Sequence, residues 1–403
     1  MRILLVTTGC DPTAWSEPLV GYQWASRLSR DHDVTLLNYR RRTERPASEY
    51  LPGVRVVEWV EPAGLERVER LNSMARPSYP LFLREVRRWL RNAAAGGERF
   101  HIGYQPVPVA LRYPSPLQGS GLPYVLGPLG GSLPDPPGFE TEDTSAWFVR
   151  LRRFDGLRID HDPWLRRTYA EAECVVGIAD YVRELLSSVP LRAYTSIPDT
   201  ALEHLPPSVD RRGRTGPVRL LFVGRLVRTK GARDAVRAMS RLRDLDVVLD
   251  VVGDGYDRQP CEDLVDELGL RDRVTMHGVV DRGDVDGFYE RADVFVFPSY
   301  REPGGTVTFE ALGAGLPMIT ADRGGPATAV DETCGITVTP TNPEDYADQI
   351  AAAVRSLVLD PARRLQLGAG ARARTEAIGT WDRKIEAMEH VLISALASAV
   401  ART

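Results

Sequence analysis

The stretch VFVFPSYREPGGTVTFEALGAGLPMITADRGGP, residues 294–326, carries the plan of the fold. An apolar run, VFVFPS, leads through the glycine pair Gly304–Gly305 into TVTFEALGAG, which has helical character, and then into a second short apolar run, PMIT. Strand, tight turn, helix and strand in that order are the repeating unit of a parallel sheet covered by helices. Two acids stand eight positions apart in it, Glu302 before the turn and Glu310 about a turn and a half into the helix.

The same alternation runs from end to end. RILLVTT, HDVTLL, VRVVEWV, FHIGY, LPYVLG and CVVGIA read as strands of a first doubly wound half, and AYTSIP closes it. Between its first two strands PLVGYQWASRLSR reads as a helix with Leu19, Trp24 and Leu28 inward, and YVRELLSS as the helix after CVVGIA. The segment 199–217, DTALEHLPPSVDRRGRTGP, is rich in proline, glycine and charge and lacks a periodic apolar face, which marks a linker. A second series follows: VRLLFV, GARDAVRAMSRL, VVLDVV, CEDLVDELG, RVTMHG, VDGFYERA, VFVFPS, TFEALGAG, PMIT, GITV. A last helix carries Ile385, Met388, Leu392 and Leu396 at helical spacing. The expected division is 1–206, 207–382 and a terminal helix, 383–403. A chain of 403 residues fits two domains better than one core.

Composition narrows the classes. With 43% apolar and 26% charged residues the chain reads as globular, and a net charge of −4 gives no support for nucleic-acid binding. No apolar run reaches 18 residues and no leader is visible, so the expectation is a cytoplasmic protein. Cys10, Cys174, Cys261 and Cys334 lack metal or redox spacing and read as small buried hydrophobes. Only Lys230 and Lys384 among the 51 basic residues are lysines. That rarity draws attention to VRLLFVGRLVRTKGARDAV, where Gly224, Arg225 and Lys230 lie between a strand and a helix start. Two cations and free helix amides there suit a diphosphate, against the plainer reading of solvated loop cations. By the same electrostatics the amides of Gly305, Thr306 and Val307 form an anion-binding helix start behind Gly304. Glu302 is placed to accept hydroxyl hydrogen bonds or to face a developing positive charge, and Glu310 to hold a more distant polyol. Taken by itself, the pair is better explained as a loop acid and a surface helix acid.

REPGGTVTFEALGAGLP resembles the glutamate, seven residues, glutamate signature of retaining nucleotide-sugar glycosyltransferases of family 4. VGRLVRTKG is similar to that family's donor-diphosphate loop, VVGDGY to its next strand and turn, and MHGVV to the segment whose backbone meets the base. SIPDTALEHLPPS resembles its interdomain linker. The resemblance implies a GT-B architecture: two facing Rossmann-like domains with a cleft between them and a terminal helix crossing back to the first. It implies that Arg225 and Lys230 bind the diphosphate, that Glu302 contacts the donor sugar, that Glu310 takes the ribose hydroxyls, and that Val280 meets the base through its backbone. It further implies retained configuration without a covalent enzyme intermediate, no metal or cofactor, and a nucleoside-diphosphate sugar as donor substrate, UDP ahead of GDP. A hexosyl or N-acetylhexosaminyl group would pass to a small-molecule, glycan or lipid-linked acceptor.

The first half departs from the family. Where many members carry a histidine, this chain has Pro128–Leu129–Gly130–Gly131, which leaves a donor phosphate oxygen as proton acceptor. TTGCDPTAWSEPLVG keeps only Gly9 and Gly21 of the usual glycines. Glu17, Tyr104, Gln105, Gly130 and Gly131 are the expected acceptor contacts.

Other signals carry less. VGDGYDR has Arg258 where a dinucleotide fingerprint needs its third glycine, which argues against a dehydrogenase. Asp244–Asp246 and Asp284–Asp286 resemble metal-binding acid pairs but fall before a strand and on a helix, and His277 reads as a strand-end residue. From Arg67 to Arg112 there are nine arginines against three glutamates. In YPLFLREVRRWLRNA, Phe82, Val86, Trp89 and Leu90 share a face ringed by Arg84, Arg87, Arg88 and Arg91, and AWFVRLRRFDGLR repeats the flavour. Such helices pack on their own domain or lie on an anionic membrane. Two rival functions remain at this stage, a sugar-nucleotide epimerase and a non-catalytic nucleotide-sugar sensor. Arginine dominance suggests a G+C-rich coding bias, hence a bacterial natural-product, capsule or envelope pathway.

Overall fold

The computed structural model describes residues 1–14, 16–64, 76–131, 133–139 and 154–402. Its contacts divide the chain into two compact units: Met1–Ser132 with Leu151–Asp199 and Ile385–Thr403, and Leu133–Arg150 with Thr200–Lys384.

The first unit is built on a seven-stranded sheet, β1 (Arg2–Thr7), β2 (Asp33–Arg40), β3 (Arg55–Val60), β4 (Ile102–Gln105), β5 (Tyr124–Leu129), β6 (Cys174–Gly177) and β7 (Tyr194–Ser196). The order is β3-β2-β1-β4-β5-β6-β7, with every pair parallel. Helices on both faces explain why β1 is buried at five consecutive positions rather than alternating. They are α1 (Glu17–Leu28), α2 (Tyr79–Ala95), α3 (Phe154–His161), α4 (Pro163–Glu171) and α5 (Tyr181–Leu185). In α1, Trp24 and Leu28 are sealed as expected, while Leu19 is half-buried. The α2 face holding Phe82 and Val86 is fully buried in the unit core, and Arg84, Arg88 and Arg91 stay in water. Packing thus accounts for the apolar stripe of α2. Arg67 and Arg70 of the basic stretch, and most of AWFVRLRRFDGLR, lie outside the described residues. No helix among the described residues is long and apolar enough to cross a membrane.

The second unit has six parallel strands, β8 (Val218–Val223), β9 (Val247–Val252), β10 (Val274–Gly278), β11 (Val294–Phe297), β12 (Met318–Ala321) and β13 (Gly335–Val338). Their order is β10-β9-β8-β11-β12-β13. The covering helices are α6 (Ala232–Met239), α7 (Arg258–Glu267), α8 (Arg282–Arg291), α9 (Thr306–Gly313), α10 (Gly324–Ala329), α11 (Pro343–Leu359) and α12 (Pro361–Ile378). The sequence reading passed over α4, α10, α11 and α12. The long pair α11 and α12 has a local signal all the same: Asn342 and Asp360 cap them by accepting from the amides of Glu344, Asp345 and Arg363, each with proline in the first turn. The last helix, α13 (Trp381–Val400), starts in the second unit and belongs to the first from Ile385 onward, where His32 Nε2 lies 2.9 Å from Glu389 Oε1.

The polar linker is not loose after Asp199. Leu202 exchanges backbone bonds with Gly379 and Trp381, and Arg211 donates to the carbonyls of Tyr289, Ala292 and Ala314, each at 2.8 Å. Those carbonyls end α8 and α9, and helix ends need such outside donors. Burial holds the Arg211 guanidinium down at about 10.

Candidate functional site

In each sheet the chain winds outward from its first strand one way and then, from the fourth, the other way. The loops leaving those two strands face each other at the carboxyl edge, where open parallel sheets bind ligands.

In the second unit these loops follow β8 and β11. The first runs through Gly224 and exposed Arg225 to a short 3-10 turn, Arg228–Lys230, and Gly231 opens α6 with φ of 81°. A Cβ on Gly231 would strike the carbonyl of Pro298, so glycine is what lets the β8 loop touch the β11 loop. Ser299 Oγ adds a bond to Thr229 O at 3.0 Å. Across this seam Lys230 Nζ donates to Glu302 Oε2, with 13% and 14% of the two side chains exposed. The two residues singled out from opposite ends of the sequence pattern therefore form one ion pair.

Behind Lys230 the loop is anchored by a buried pair. Arg228 donates to both oxygens of Asp234 at 2.6 and 2.9 Å, with both side chains fully shut off from solvent, and lies over the rings of Phe139 and Tyr300. In front, Gly304 and Gly305 lead into α9, Gly305 taking φ of 98° as the cap. The first amide returned to the helix is that of Thr308, bonded to Gly305 O at 3.0 Å, so the Gly305, Thr306 and Val307 amides carry the partial positive charge of the helix start.

Glu310 sits further along α9. Its Oε2 accepts from Tyr289 Oη at 2.9 Å, and Arg282 lies 3.5 Å from Oε1. Burial, and then the facing Glu310 carboxylate, push the Tyr289 phenol well above its ordinary range, so it stays a donor. Tyr289 was missed from sequence; being 21 residues from Glu310 on another helix, it leaves no local signature. Val280 is half-buried after β10 on the same sheet edge.

The first unit uses its corresponding edge differently. Glu17 accepts from Val109 N–H at 3.2 Å and from Arg76, which also donates to Thr8, so its carboxylate is committed to the fold. Tyr104 and Gln105 were expected to reach an acceptor, and the structure corrects this. They are 0% and 4% exposed, because neighbouring residues of a strand covered on both faces are both buried. Gln105 is held by Ser115 at 2.6 Å and Tyr79 at 3.4 Å. Gly130 continues β5, and the backbone of Gly131 bonds Tyr181 Oη. A groove of about 950 Å³, lined by Arg87, Arg91, Phe100 and Trp164 among others, lies by the residues that precede β4 and β5, at the opposite edge from these loops.

All four cysteines are free and buried, and burial pushes the thiols of Cys174, Cys261 and Cys334 to about 11, 12 and 11. His277 ends β10 with Nε2 at 2.7 Å from Asp250. Asp244 pairs with Arg355, whose hydrogen bonds bring it to about 2. Among the described residues no group of three His, Cys, Asp or Glu could hold a metal ion.

Two doubly wound parallel units in one chain, with a last helix running from the second to the first, make a GT-B fold. Sucrose-phosphate synthase from Thermosynechococcus elongatus has the same fold: TM-score 0.64, 20% identity, 98% of this chain and 99% of that one covered. Residues 210–374 match the family of glycosyl transferases group 1, and the chain is related to that family through its second unit. It is 36% identical over 191 residues to a Mycobacterium tuberculosis glycogen synthase, covering 47% of this chain and 45% of that protein. It is also 36% identical over 181 residues to a D-inositol 3-phosphate glycosyltransferase of Xylanimonas cellulosilytica, with 44% and 42% covered. The chain thus spans about half the length of the curated relatives it matches.

Proposed function

We propose that this protein is a retaining glycosyltransferase that moves a sugar from a nucleoside diphosphate, UDP ahead of GDP, to an acceptor hydroxyl in glycan or glycolipid synthesis. The observation that carries the reading is the Lys230–Glu302 pair at the switch point of the second sheet, beside the α9 start and exposed Arg225. In this ion pair the two charges offset each other. An incoming diphosphate takes Lys230 as its own partner, joined by Arg225 and the amides of Gly305, Thr306 and Val307, and this releases Glu302 toward the sugar. Glu310, held by Tyr289, receives the ribose hydroxyls, and Val280 lies toward the base.

Negative charge gathers on the diphosphate as the C1–O bond breaks, and the cations and helix start stabilise it. The acceptor oxygen bonds to C1 on the face the diphosphate leaves, and its proton passes to the departing phosphate oxygen. Glu302 faces the oxocarbenium-like sugar. Residues 207–382 would bind the donor and 1–206 the acceptor, near Gly130, Gly131 and Glu17, with 383–403 as the returning helix. Four free thiols fit a reducing compartment, and we place the reaction in the cytoplasm. Arg84, Arg88 and Arg91 of α2 offer an anionic membrane a peripheral contact, which sedimentation with vesicles tests.

A thermal-shift panel of UDP, GDP, ADP and their sugar conjugates tests the donor reading. A true donor at 100 times its dissociation constant adds about 2.7 kcal/mol of stability. If no nucleotide or nucleotide sugar raises the melting temperature, the proposal fails.

A further inference from the structure

The segment Leu133–Phe139 follows β5 in sequence, yet its contacts belong to the second unit. It runs alongside the Glu302 loop. Phe139 is fully buried with its ring 4.5 Å from that of Tyr300 and 5.3 Å from the Arg228 guanidinium. One terminal nitrogen of Arg301 lies 2.8 and 2.9 Å from the two oxygens of Asp135, and these side chains are 22% and 15% exposed. Arg323 donates to Pro134 O at 2.7 Å. On its other side the Glu302 loop is closed by Gly325, whose N–H donates to Glu302 O at 2.9 Å, and a Cβ there would collide with the carbonyls of Pro303 and Gly304. Tyr300, Arg301 and Glu302 are thereby gripped between this strap and the start of α10.

From this geometry we infer that Asp135 is a positioning residue: by holding Arg301 it keeps the backbone of Arg301–Glu302 where Glu302 meets Lys230. Its link to catalysis rests on the reading of Glu302 as the donor-sugar residue. The printed bonds of Asp135 run to Arg301, and through it Asp135 acts on the reaction. It lies four residues after Gly131, so the acceptor-side loop and the strap are one short piece of chain.

The experiment uses full-length protein with Asp135→Ala, Asp135→Asn, Arg301→Ala and the Asp135→Ala/Arg301→Ala double variant. Hydrogen exchange of the Gly325 amide reports the Glu302 loop whatever the enzyme's substrate. Asp135→Ala is expected to speed that exchange about tenfold and Asp135→Asn, which keeps the shape, by less. With the donor found by thermal shift, kcat falls about tenfold or more while the donor KM changes less than about twofold, and the double variant is no worse than the worse single. Unchanged Gly325 exchange in Asp135→Ala, or losses in kcat that add in the double variant, would overturn the inference. Should no nucleotide stabilise the wild type, the donor reading fails by itself, and the exchange result still decides whether Asp135 holds the loop.

Discussion

The two sheets share one winding rule and differ at the edge it creates. In the first, Glu17 at the start of α1 is spent on Val109 and Arg76, and Tyr104 and Gln105 at the end of β4 are sealed. In the second, the loops after β8 and β11 bring a lysine, a carboxylate and a helix start to the surface of the sheet end. Topology supplies a place for a ligand in both, but loop chemistry decides which edge is charged for one.

The contrast is most exposed to attack at its foundation. Removing one member of the buried Arg228–Asp234 pair leaves an uncompensated charge, so Asp234→Ala should cost about 3–5 kcal/mol in urea unfolding. Arg402→Ala in the first unit, which breaks a pair with Glu173 at 45% exposure of the arginine, should cost under about 1 kcal/mol. Equal costs would remove the claim that the buried Arg228–Asp234 pair anchors the β8 loop. Lys230→Ala should lower turnover about 10²–10³-fold, the range for losing one group that stabilises transition-state charge. Glu17→Ala, by contrast, should leave UDP affinity within about twofold when followed by calorimetry, because its bonds are structural. Glu310→Ala should weaken UDP by about 1.5–3 kcal/mol, the worth of a hydrogen bond to a charged group, and reduce the preference over the 2′-deoxy nucleotide.

The last effect is alkaline and belongs to both units. Burial pushes the folded thiols of Cys174 and Cys261 up to about 11 and about 12, while an unfolded thiol titrates at about 8.5. Between those values the folded state holds more protons, so stability, complete below about pH 8, falls as pH rises by about 1.4 kcal/mol per unit per thiol. Urea midpoints from pH 8 to 10.5 check the sign. Cys261→Ser should flatten the decline at least as much as Cys174→Ser.

Much of the second unit was legible because its evidence is local. Strand runs such as VFVFPS and GITV are continuous and apolar, and Arg225, Lys230 and Glu302 sit within several residues of a strand end. Lys230 and Glu302 were named separately, although 72 residues of chain divide them and only the strand order shows that they meet. What stayed hidden depends on folding at a distance. Tyr289 supports Glu310 from a neighbouring helix, and Asp135 reaches Arg301 across 166 positions. Tyr104 and Gln105 misled because polar groups near a strand end look solvent-facing until the covering helices are known.

The bare α-carbon of Gly231 pressed against Pro298 has a mechanical consequence. Cation and carboxylate ride on backbones that cannot separate without tearing that seam, so thermal breathing of one is breathing of the other. Any side chain grafted at position 231 would act as a wedge driven into that seam.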